Sequence, residues 1–528
     1  MKIKQLLMLI LLISITFCLS AQDASFLMKY AQKGDKEAMY NLAQCYLYGN
    51  GGVAQDYNQA TYWLTKASKK DYAPAMVDLA YCYLYGAGVM KDYKQAWTLA
   101  QKASRQKIAK AYHLMALMNK DGIYVPQNNT AYLTNLQTAA ELGDDSAQKD
   151  LGIMYLFGDA ATGIKQSDPS AVVWLSKSAD QNNAIALLYL GGCYEIGTGV
   201  AQDLNKAIEY YSKSSDLGYG YAQARLAEAY LKGEGVEQDP SRAIELLNLA
   251  NAQDIPKAFK LTGDVYYYGL GIDENNELAA EWYKKAAEAG IAEASSILGN
   301  MYLNGEGVVK NDTKGYEYYK VAAEAEIPHG IAGLGICYEN GLGVTKNLNT
   351  AISYYKKAAD LGNNYAQRSL YRLYKEGDGV TKNNYEALRY LRMAADDGDP
   401  EALHSMAFEY SNGELLHQEN TKALEYLQKA CNAGNYFSMG MLGLLYYDGD
   451  YLVSKDYEKA FHYLHEAAGH PQEFNNEMLG SIFRDLAACY RFGRGTEVNH
   501  SLASYYTEQA ARCGDSSSFD AVNALRQQ

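Results

Sequence analysis

Apolar and polar residues return along this chain at fixed distances. Beginning from the valine that closes the segment YLYGAGV, Val89, an aliphatic residue recurs at Val53, Val125, Ile164, Val200, Val236, Ile272, Val308, Val344, Val380, Leu416 and Val453, with Thr496 as a degenerate last member. Nine of the twelve steps are 36 residues, and those before Ile164, Val453 and Thr496 are 39, 37 and 43. A period of this length marks a repeated supersecondary unit. Within it the spacing is helical. Seven residues after the aliphatic position stands a small residue (Ala60, Ala96, Ala207, Ala351) and ten after it an aromatic (Trp63, Trp174, Tyr210, Tyr354), which predicts a second helix with one buried face. Asp56, Asp92, Asp203 and Asn347, three after it, are the predicted N-caps, and glycines such as Gly143, Gly218 and Gly362 the left-handed stops. A first helix precedes the glycine turn. Three residues before that glycine a tyrosine stands in twelve of thirteen copies, from Tyr46 to Tyr490, with a leucine such as Leu42 or Leu79 one helical turn earlier.

The turn itself, Gly86 to Gly88 in one copy, has the look of a phosphate cradle, but a nucleotide-binding turn occurs once per domain. This one returns in copy after copy, so it serves the architecture. A lone helix pair cannot bury its apolar face, whereas stacked neighbours bury a continuous core. The expected fold is therefore all-α, an α/α superhelical solenoid of about thirteen 36-residue helix-turn-helix repeats.

The blocks LGNMYLNGEGVVKNDTKGYEYYKVAAEAEI and LGICYENGLGVTKNLNTAISYYKKAADLGNNYAQ resemble Sel-like repeats (SLR), a branch of the tetratricopeptide superfamily, and the resemblance runs over about residues 29 to 514. It implies an α/α superhelix acting as a scaffold or adaptor for other proteins, commonly exported or membrane-associated in bacteria, with no catalytic residues; no metal or cofactor is expected. The third copy, AYHLMALMNKDGIYVPQNNTAYLTNLQTAAELG, departs most and predicts a softer or bent joint.

Charge and composition narrow the partners. The formal net charge of −14 argues against nucleic acid, whose phosphates need a basic surface. Lys2 and Lys4 precede an apolar run from Leu6 to Leu19, followed by Ser20 and Ala21, which reads as a signal peptide over residues 1–21. No later stretch is apolar for the length of a membrane crossing, so the expected mature chain (22–514 repeats, 515–528 an end cap carrying Phe519, Val522 and Leu525) is exported to the periplasm or secreted. Cys18 is an alternative lipid-attachment point, disfavoured by the bulky Phe17 before it.

Little in the chain points to chemistry. Cys45, Cys82, Cys193, Cys337 and Cys489 share one column, where other copies carry Met154 or Leu373, and read as small buried hydrophobes. Equivalent positions in successive repeats lie on the order of 10 Å or more apart, beyond disulfide reach of about 7 Å; only Cys489 and Cys513 are a candidate bridge. His462, His465 and Glu466 have metal-compatible spacing but occupy columns that hold Glu317 and Lys320 elsewhere, so a solvated face is expected. No triad of Ser, His and Asp has local support, and no enzyme activity is expected.

Binding is the remaining function. On the first helix, positions 8, 5 and 1 before the turn glycine share a face and vary freely, which predicts a solvent-facing stripe along the groove. The candidate partner-binding residues are Gln44, Tyr81, Glu228, Asp264, Asn300, Arg372 and Phe408 at −5, Tyr189 and Arg225 at −8, and Tyr48, Tyr85 and Tyr268 at −1. Aromatics and arginine among carboxylates match the composition of interface hot spots. A protein or peptide is the expected ligand; the alternative is a polysaccharide or cell-wall fragment on the tyrosine-rich surface.

Overall fold

The computed structural model describes residues 23–449 and 453–518, so the segment 1–21 and the end-cap residues Phe519, Val522 and Leu525 lie outside the described residues. Among those described there is no strand. Helices occur as successive pairs, from Lys36–Tyr48 with Tyr57–Lys69 to Asn476–Phe492 with His500–Arg512, thirteen in all. They fall into two compact units, divided after residue 286. A further helix, Ala24–Gln32, precedes the first pair and buries Ala24, Leu27 and Ala31. It packs against the helix Lys36–Tyr48 and belongs to none of the thirteen pairs.

The local chemistry of one pair serves for most of them, although Ser167 and Glu419 make no side-chain cap bond. Asp203 accepts from the amide of Lys206 at 3.0 Å and so starts the second helix Leu204–Asp216. Gly197, at φ +77°, ends the first helix Ala184–Ile196 by donating its amide to Cys193. The next glycine of the turn answers to packing as well as to conformation. In the second repeat Gly88 has φ +71°, and a Cβ there would lie 2.0 Å from the carbonyl oxygen of Tyr57 in the repeat before. The turn thus seats directly on the first turn of the preceding second helix, and only glycine lets the two backbones approach.

Further features of the pairs accompany this. The tyrosines three before the turn stack on the aromatics at +10 of the same repeat, as in Tyr194 on Tyr210 and Tyr338 on Tyr354, both at 5.6 Å between centroids. Lysines lie over these rings, Lys206 over Tyr194 for example. The +10 column is therefore mostly half-buried, and the fully covered column is the next one, +11, with Leu64, Leu175, Tyr283 and Tyr355. Where +11 is tyrosine, position −6 of the first helix is glycine: a Cβ on Gly191, Gly263, Gly299 or Gly335 would sit 2.4–2.7 Å from the ring of Tyr211, Tyr283, Tyr319 or Tyr355. The left-handed stop after the second helix persists without glycine, at Asp71, Lys107, Asn182, Asp254 and Glu326. The 43-residue step forms no long loop but a short 3-10 turn, Pro471–Glu473, and a 17-residue first helix, Asn476–Phe492. Cys489 and Cys513 are unbridged, as are the other cysteines of the described residues.

Candidate protein-binding face

The first helices carry a ladder of polar contacts from one repeat to the next. In the first unit, Gln44 donates to Asp78 of the following repeat at 2.6 Å. Arg225 pairs with Glu195 of the repeat before and Glu228 of its own, each at 3.1 Å. Glu228 also receives Lys257 from the repeat after and Lys232 from its own. Burial alone would raise the Glu228 carboxyl, but the two lysines outweigh it and hold it down at about 2. From beneath, the +11 tyrosines reach the same carboxylates: Tyr211 donates to Glu195 at 2.7 Å and Tyr283 to Asp264 at 2.8 Å.

Asp264 departs from the solvent-facing stripe expected for −5. It is buried, because Tyr283 crosses over Gly263 and covers it, and this burial raises its carboxyl against the pull of Lys260 at 2.6 Å. Tyr81 and Tyr85 are half-buried and stack on each other at 6.3 Å. Tyr189 is half-buried against Phe157. Tyr48 and Tyr268 are exposed, at 37% and 60%.

The second unit repeats the device with different residues. Tyr355 donates to Glu339 at 2.6 Å, and Arg372 of the next repeat pairs with the same carboxylate and with Glu376. Asn300 is exposed and accepts from Asn304 at 3.4 Å, and Phe408 is 48% exposed. One member of this network was hidden in the sequence. Glu409 stands in the cysteine column and is fully buried, where it receives Lys375 and the Tyr371 hydroxyl, both at 2.5 Å, and the amide of Leu415 at 3.2 Å. The signal was a lone charge in an apolar column. Lys375→Met strands that carboxylate and is expected to lower stability by about 3 kcal/mol or more. Adding Glu409→Leu, the residue type at Leu373 and Leu445, is expected to restore most of the urea midpoint; no recovery would mean the pair is not coupled.

A second hidden cluster lies at the third repeat, where a soft joint was expected. His113 is buried between Asp144, 3.2 Å from Nδ1, and Asp150, 3.5 Å from Nε2, so this joint carries an ionic clamp. Asp144 also caps the next helix by accepting from Ala147 at 2.8 Å. Burial would lower the imidazole, yet the two carboxylates prevail and raise it to about 9.

Between the first helices Asp145–Phe157, Ala184–Ile196 and Gly220–Lys232 lies a cavity of about 620 Å³, walled by Leu156, Phe157, Leu188, Tyr189, Ile196 and Tyr221 and by the charged Glu195, Arg225 and Lys257. His462, His465 and Glu466 are exposed, and no metal-competent cluster of His, Cys, Asp or Glu occurs among the described residues. No helix among them is long and apolar enough to cross a membrane.

The pairing of helices is matched by a family model, that of the Sel1 repeat, which fits thirteen segments from 36–72 and 73–107 through to 437–469 and 484–515. This chain belongs to the Sel1 repeat family. Among solved structures it is similar to a protective antigen of uropathogenic Escherichia coli with an SLR fold, at 27% identity and a TM-score of 0.60, covering 87% of this chain and 96% of that one. A Sel1 repeat protein from Oxalobacter formigenes is similar at 25% identity and a TM-score of 0.41, covering 60% and 90%. A comparison with curated proteins found no match. The last Sel1 segment begins at residue 484, so the amino-terminal turns of the helix Asn476–Phe492 are an elaboration of this chain on the Sel1 repeat.

Proposed function

We propose that this Sel1 repeat protein is an exported, non-enzymatic scaffold whose first-helix face binds a segment of a partner protein. The observation that carries the reading is the ladder. Its charged side chains are already paired, and its tyrosine struts hold them from below, so little side-chain order is left to be lost on binding. Beside the ladder stand the exposed aromatics Tyr48, Tyr268 and Phe408. The amino-terminal Lys2, Lys4 and apolar run support export. The polysaccharide alternative is weaker, because the tyrosine columns are stacked on one another and overlain by lysines such as Lys206, Lys314 and Lys422, which leaves few ring faces for a sugar.

Site-specific photo-crosslinking tests the reading in the producing cell. A benzophenone side chain at position 268 or 408 is expected to capture a defined protein, whereas one at Tyr385, an exposed residue of a second helix, captures none. Equal capture from both faces, or none from the first, would defeat it.

A further inference from the structure

The cavity walled by repeats four to six, with Lys257 of the seventh at its edge, has an origin that packing does not explain. Six repeats carry Gln44, Tyr81, Glu228, Asp264, Arg372 and Phe408 at position −5, and the fifth carries Gly192. A Cβ at Gly192 would meet only the Tyr211 hydroxyl, at 3.7 Å, and the residue lies inside a helix without positive φ. Its neighbour Gly191 differs: a Cβ there would lie 2.6 Å from the Tyr211 ring. Glycine weakens a helix interior relative to alanine, so Gly191 has a structural reason and Gly192 has none except the space it leaves.

That space is apolar and open. Phe157 is 67% and Ile196 72% exposed at its wall, beside the exposed Tyr221. The lining holds two cations, Arg225 and Lys257, and one carboxylate, Glu195; Glu228, outside the lining, pairs with both cations. Arg225 spends one N–H group on Glu195 and one on Glu228, and Lys257 one on Glu228, so both retain donors for a further acceptor.

We infer that this cavity is the anchor site of the scaffold, taking from a partner protein a bulky apolar side chain with an aspartate or glutamate next to it. The inference rests on the scaffold reading and narrows it to one residue class and one place. The apolar side chain fills the volume left by Gly192 against Leu188 and Ile196, and the carboxylate meets Arg225 and Lys257 at the rim.

A phage-displayed random dodecapeptide library, panned on the full chain, tests it. Enriched peptides are expected to carry an aromatic or large aliphatic residue beside Asp or Glu. A synthetic peptide of the enriched sequence should lose at least tenfold in affinity on Gly192→Leu and on Ile196→Asp, with helical circular dichroism unchanged. Its acid-to-amide version should bind the wild type more weakly, and Lys257→Met should weaken the acidic peptide but not the amide. Should Gly192→Leu fail to fold, Ile196→Asp reads the same cavity from a largely exposed position. Peptides that bind Gly192→Leu and Ile196→Asp as well as wild type overturn the anchor site and leave the scaffold reading intact. Peptides without an acidic preference overturn the assignment of the rim, and the absence of any enriched peptide counts against both the anchor and the scaffold.

Discussion

His113→Leu is expected to destabilise the junction of the third and fourth repeats by about 3–5 kcal/mol, because it leaves Asp144 and Asp150 without the cation between them. The loss has a pH signature. Folding raises the imidazole from 6.5 to about 9, so its stabilisation is fully present below 6.5, declines as pH climbs, and is gone above about 9. The two carboxylates are held below their ordinary 3.8 and contribute above that value, with loss only as pH falls through it. The difference in urea midpoint between wild type and His113→Leu should therefore be widest between about pH 4 and 6.5 and close as pH approaches 9. Lys110 and Lys149 also face the carboxylates. A gap constant from pH 5 to 10 would show that the histidine acts by shape alone.

Gly88→Ala is expected to destabilise by about 2–4 kcal/mol, from left-handed strain and from the collision of a methyl group with the Tyr57 carbonyl. The first repeat supplies an internal control. Gly52 also directly precedes the valine column, one residue further from the helix-ending Gly49 than Gly88 is from Gly86, with φ +83°, yet a Cβ there would meet nothing within 4 Å. Gly52→Ala carries only the conformational part, about 1–2 kcal/mol. Thermal melting of the two variants separates the terms, and hydrogen exchange should place the Gly88 effect at the seam between the first two repeats. Equal effects at both positions would mean that conformation alone demands the glycine.

Much of this molecule was legible before any coordinates. Asp56, Asp92 and Asn347 cap their helices as their position predicts, since a cap is a contact between residues two or three apart. The stripe was less legible. Variation among copies marked its columns, but variation also arises where residues are paired idiosyncratically, and Asp264, Arg225 and Arg372 vary because each answers a particular neighbour. The +11 tyrosines could have been found, because each faces a glycine at −6 of its own repeat; the tenth repeat reverses the sizes with Tyr371 and Leu391.

The sequence by itself determined the period, the helix pairs, their caps and turns and the all-α class. These depend on contacts within a few residues, written thirteen times, so that each column tests itself. Only the tertiary structure decided that Arg225 reaches Glu195 thirty residues back, that Glu409 is buried with Lys375, that His113 clamps two carboxylates, and that Gly192 opens a cavity. Those outcomes turn on how successive first helices are rotated and spaced against one another. That geometry is set by the summed packing of both helices in each pair, which no single column of the repeat records.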